Sequence, residues 1–212
     1  MAAGDFLEFP DGIRLARLEE IPGPEADRVA AWARINQANI VPGFTVVQSS
    51  TDLRFRHYAE INVNASGIWK VFRDLCAGLL SDPTTLIAGD GDREPYPIAA
   101  GNVSKFLNVL EIHRYQLAHD GFLQFGLVSD HSDEIEEVFV TETKHFRVWL
   151  NDIERFRSIM HGHHICERSR MEFIDEYPRV TTRLSGDREL IVDPERLWRD
   201  VAELATSSGL LQ

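Results

Sequence analysis

Phe122-Leu123-Gln124-Phe125-Gly126-Leu127-Val128, Glu137-Val138-Phe139-Val140 and His145-Phe146-Arg147-Val148-Trp149-Leu150 are the stretches that decide the fold. Each run is short, rich in aromatic and β-branched residues, and bounded by turn formers, which is the signature of a strand. Asp120-Gly121 precedes the first run as a tight-turn pair. The acidic connector Asp130 to Glu134 joins the first run to the second, and Thr141 to Lys144 joins the second to the third. The preceding segment, Phe106 to Ala118, also reads largely as strand, although helical spacing fits its first part. Consecutive strands with such short connections predict an antiparallel meander of four strands.

Working outward, Leu53 to Val63 alternates apolar and polar residues, so one face is buried and the other wet. Asn64 or Ser66 caps a helix in which Ile68, Phe72, Leu75, Cys76 and Leu79 recur on one side. Asn151-Asp152 caps another, with Ile153, Phe156, Ile159 and Met160 inward. Asp193-Pro194-Glu195 starts a third with Leu197, Trp198, Val201, Leu204 and Ala205 inward. Pro24 opens a helix expected to bury Val29, Trp32 and Ala33. At the start of the chain, Asp11-Gly12 between Phe6–Phe9 and Ile13–Leu18 predicts a hairpin. Met171–Ile174 and Arg179–Leu184 read as strands, and the breaker-rich residues 88–104 as a loop. The expectation is one α+β domain over residues 1–212, a largely antiparallel sheet with about four helices packed on it. A sub-division, if present, falls in the loop at 88–104.

Composition narrows the function classes. The 212 residues carry 22 Lys and Arg against 34 Asp and Glu, a net charge of −12. Nucleic-acid binding through a broad basic face is excluded, because phosphate neutralisation needs clustered cations. Two cysteines, Cys76 and Cys166, cannot make a disulfide framework and read as thiols in a reducing compartment. Residues 1–5 lack the basic and apolar stretches of a signal peptide, and no apolar run approaches bilayer length, so a cytoplasmic protein without membrane contact is expected.

The candidate chemistry is scattered. His161, His163, His164 and Cys166 are metal-ligand types, but their spacing lacks the separated pairs of a zinc site. They read instead as a helix end, with His161 facing the negative dipole and Gly162 as the left-handed residue. Asp90-Gly91-Asp92 starts like a calcium loop, yet Pro95 and Gly101 stand where glycine and glutamate are needed. Phosphate-binding, nucleophile-elbow and zincin motifs are absent. No cofactor is called for, and no residue is assigned as catalytic or metal-binding. His113, Tyr115 and Leu117 would share a strand face, a polar pair on a half-buried surface.

The strongest signal is charge. Asp130, Asp133, Glu134, Glu136, Glu137 and Glu142 fall within thirteen residues that hold no Lys or Arg. One account is a solvated hairpin edge kept from aggregating by its charge. The other is a docking surface for a basic protein partner. The expected function is a non-catalytic cytoplasmic binding protein that presents this surface, of which a toxin-neutralising immunity protein is one form. The alternative is an enzyme with a dispersed His/carboxylate site, such as a hydrolase, at a pocket where His113 or the 161–166 cluster meets a carboxylate. A homo-oligomer is compatible with either.

Overall fold

A computed structural model describes residues 6–50, 53–91, 93–185 and 191–206. In chain order the elements are β1 (Ile13–Leu15), α1 (Glu25–Ile35), β2 (Gly43–Gln48), β3 (His57–Asn62), α2 (Ile68–Leu79), β4 (Thr84–Asp90) and β5 (Tyr96–Gly101). There follow α3 (Val103–Leu110), α4 (Arg114–His119), β6 (Leu123–Asp130), β7 (Ile135–Val140), β8 (Phe146–Leu150), α5 (Ile153–Gly162), β9 (Arg179–Thr181) and α6 (Pro194–Thr206). The fold is α+β. Seven strands form an antiparallel sheet in the order β2-β3-β8-β7-β6-β4-β5, and β1 pairs with β9 in a separate two-stranded sheet.

Strand alternation puts Ile61, Val148, Val138, Leu127 and Leu86 on one face of the large sheet, all wholly buried. The apolar stripe of α2 (Ile68, Phe72, Leu75, Cys76, Leu79) packs there, with Phe156 and Met160 of α5, Phe106 and Leu110 of α3, and Leu197 and Val201 of α6. Phe72 meets Phe125 edge to face with ring centroids 4.8 Å apart. Each such buried aromatic ring stabilises the fold by roughly 2–3 kcal/mol. Asp152 accepts from Arg155 N at 2.9 Å and Asp193 from Glu195 N at 3.0 Å, the two caps that their sequences predict. Leu204, expected inward, is exposed.

Several expectations are corrected. Phe106 to Ala118 is not a strand. Asn102 caps α3 by accepting from Lys105 N at 2.9 Å, and Phe106, Leu107 and Leu110 then fall on one helical face. The meander therefore has three strands, β6, β7 and β8. Residues 88–104 complete β4 and form β5, a hairpin within the large sheet. The N-terminal hairpin does not form, because β1 finds its partner in β9. Gly12 fits that packing for a steric reason: a Cβ there would lie 2.5–2.6 Å from His119 O, Gly121 N and Thr182 O. Val29, Trp32 and Ala33 of α1 are exposed, since the helix touches the body along the side of Arg28, Ala31 and Ile35. At the end of α5 the left-handed residue is His164 (φ 58°), not Gly162.

Candidate functional site

The acidic segment is not a sheet edge. β7 is the fourth of seven strands, with three on either side. Alternation along this central strand sends neighbouring carboxylates in opposite directions. The structure brings Asp130, Asp133 and Glu134 together at the β6–β7 turn and separates the other three. That turn is folded around a cation from the chain itself. Arg54 bonds Asp130 Oδ1 at 2.5 Å and donates to the carbonyls of His131 and Glu134, while Arg56 lies 3.8 Å from Glu134. Asp133 is exposed. Glu136 points to the helix side, where it accepts from Asn151 N at 3.1 Å, and burial raises its pKa. Glu142 lies in the β7–β8 turn, 3.7 Å from Arg179.

Glu137 occupies the other face of the sheet. Register places Val47, Tyr58, Trp149, Glu137, Val128, Thr85 and Ala100 opposite one another in a row that crosses from β2 to β5. A second row on this face runs through Thr45, Glu60, Arg147, Phe139, Gly126, Ile87 and Pro97. Among the described residues none of these joins the hydrophobic core shared with the helices. One end of the face is covered by residues 172–179. Asn62 Nδ2 donates to Glu172 O at 2.9 Å, and the Phe173 ring packs 5.1 Å from that of His145. The rest is open: Tyr58, Trp149, Glu137 and Val128 are half-buried and Val47 is 62% exposed.

The electrostatics of this open face centre on Glu137. Its side chain makes no hydrogen bond or ion pair among the described residues, and burial pushes its carboxyl up to about 7. Trp149 stands beside it and Tyr58 one strand beyond, with ring centroids 5.1 Å apart, and Tyr58 donates to Glu60 at 3.0 Å. Burial and the Glu60 charge both raise the Tyr58 pKa. No protein-family model, curated protein or solved structure matches the chain. Arg147 and Glu60 lie in the next row of this face, yet among the described residues Glu137 forms no ion pair, so it can accept a cationic side chain beside Trp149.

The histidines lie elsewhere. His113 is buried among helices, and burial lowers its pKa against the pull of Asp200. Tyr115 stacks on His119 with centroids 4.5 Å apart and donates to Asp11, an arrangement of helix α4 rather than a strand face. His163 Nε2 lies 3.0 Å from Asp74 Oδ2, beside a groove that His164 and Cys166 also line, and a second depression brings His161 to the other side of His164 and Cys166. Among the described residues no group of three or more His, Cys, Asp or Glu is arranged to hold a metal. No described helix is long and apolar enough to cross a membrane.

Sequence reasoning singled out Glu137 but not Tyr58, Glu60, Arg147 and Trp149, which share its face. Their signal was present as the wet positions of two alternating strands, where Tyr and Trp replace ordinary polar residues. Asp74 and Arg168 carried no signal, since they meet the histidines only through tertiary packing.

Proposed function

We propose that this is a cytoplasmic binding protein whose partner surface is the open face of the sheet, offered to a basic protein. The observation that carries the reading is Glu137, a carboxylate half-buried between Trp149 and Val128 that forms no ion pair among the described residues. Leaving a carboxylate half-sunk in apolar surroundings costs stability, and a partner Lys or Arg would recover it. The same cation would lie beside the Trp149 ring, a further attraction of about 0.5–2 kcal/mol. Asp133 and Glu134 at the β6–β7 turn would add long-range steering. Toxin neutralisation, in which an acidic protein covers a basic enzyme, is one form of this function. The catalytic alternative rests on the His163–Asp74 pair, with no further acid, base or nucleophile hydrogen-bonded to it among the described residues.

An arginine-rich peptide titrated into the protein tests the reading, with a glutamate-rich peptide as control. Binding that weakens with salt, and roughly tenfold further in Glu137→Gln, is expected. Equal affinity of wild type, Glu137→Gln and Trp149→Ala would remove the basis for the proposal.

A further inference from the structure

A groove of about 470 Å³ opens between the start of α2 and the chain that follows α5, within the usual size range of small-molecule sites. Its lining is mixed: Pro42, Val63, Val71 and Ile165 are apolar, and Asn64, Ser66, His163, His164, Cys166 and Arg168 are polar. Among the described residues no carboxylate lines it, in a chain where acids outnumber bases 34 to 22.

The carboxylates near it are already engaged. Asp74 holds His163 at 3.0 Å, Glu167 holds Arg157 at 2.9 Å, and Glu8 accepts from Ser66 Oγ at 3.0 Å. Arg168 differs from these. Its Nε donates to Pro42 O at 3.1 Å and its backbone N to Phe44 O at 2.8 Å, so the residue is held through both backbone and side chain. Among the described residues no carboxylate comes within ion-pair distance of its guanidinium, which leaves the two Nη groups as donors without an acid.

Gly43 supplies the seat for that guanidinium. A Cβ at Gly43 would lie 2.7 Å from Arg168 Nε and 2.8 Å from its Cδ. The backbone of Gly43 is not in the left-handed region, so close approach is what the missing side chain provides. A seated guanidinium beside apolar lining residues is matched by a molecule with an oxyanion at one end and hydrocarbon at the other.

We infer that this groove binds a small amphipathic oxyanion, a carboxylate or phosphate on an apolar body, with Arg168 as its anchor and His164 as a flanking donor. The site shares no residue with the open sheet face, so either can fail without the other.

Calorimetric titration of the whole protein with hexanoate, hexyl phosphate and hexylammonium tests this. Saturable binding of at least one anion, and none of hexylammonium, is expected; the tighter anion identifies the oxyanion class. Arg168→Ala should weaken that binding at least tenfold, Arg168→Lys less, and Gly43→Ala several-fold by displacing the guanidinium. Arg199→Ala on α6 should leave it unchanged. Arg168 is exposed, so its replacement leaves the core intact. The inference is overturned if neither anion saturates, if Arg168→Ala binds like wild type, or if hexylammonium binds equally well.

Discussion

The two faces of the seven-stranded sheet are built from the same strands by the same alternation, yet they end differently. On the helix side every second residue of β8 is wholly buried, as Phe146, Val148 and Leu150. On the other side Arg147 and Trp149 are half-exposed. The helix side also buries a charge-bearing group, Lys144, whose Nζ donates to Leu123 O, lies 5.9 Å from the centre of the Phe125 ring and is attracted by Asp120. The open side half-buries Glu137 with no partner among the described residues. A buried polar group with partners is consistent with a finished interior. One without them marks a surface that something else can complete.

The largest difference between the faces should appear in packing. Phe125→Ala removes a wholly buried ring that contacts Phe72, and a loss of about 3–5 kcal/mol is expected in urea unfolding. Trp149→Ala on the open face should cost no more than about 1–2 kcal/mol, because much of its ring is already in water. Equal losses would mean that the open face is packed as tightly as the other.

The next effect is in the pH dependence of stability, where the two charges act in opposite directions. Glu137 titrates near 7 in the fold against 4.5 unfolded, so the native state binds the extra proton between those values. Its contribution therefore falls as pH rises from 4.5 to 7, by on the order of 3 kcal/mol at most. Glu137→Gln should raise stability at pH 8 and change little at pH 4. Lys144 titrates near 7 in the fold against 10.5 unfolded, so the unfolded state binds the extra proton in that window. Stability should rise with pH from 7 towards 10.5, and Lys144→Met should flatten that rise. Burial also lowers the pKa of His145, which weakens the fold as that residue is forced to take a proton in acid. Urea midpoints measured from pH 4 to 10 check all three signs.

The smallest effect concerns the acidic turn that borders both faces. The Arg54–Asp130 pair is short but largely solvent-exposed. Arg54→Ala should cost under about 1 kcal/mol in thermal unfolding at low salt, and less at high salt. A larger loss would show that the carbonyl contacts of Arg54, rather than the ion pair, hold the turn.

Much of the architecture was readable in the residues. The strand runs at 122–128, 137–140 and 145–150, the caps at Asp152 and Asp193, and the apolar stripe of α2 are local patterns that the structure realises. Phe106 to Ala118 was misread because Phe106 and Leu110 follow a helical period while His113, Tyr115 and Leu117 follow an alternating one. The cap at Asn102 and burial against α6 settle it as helical. β1 was misassigned because its partner lies more than 160 residues away. Hairpin signals report local turns and cannot report distant pairing.

The candidate sites divide in the same way. The sequence by itself determined that the chain is acidic, that its charge concentrates between residues 130 and 142, and that a strand runs through Glu137–Val140. Tertiary structure alone decided which of those acids share a surface. Arg54 and Arg56 arrive from another strand connection to occupy Asp130 and Glu134, and the helices packed on one face of the sheet put Glu136 and Glu137, which alternation turns apart, into different surroundings. Charge is a property of each residue and adds along the chain. Whether a charge remains available depends on which distant groups reach it, and only the folded packing sets that.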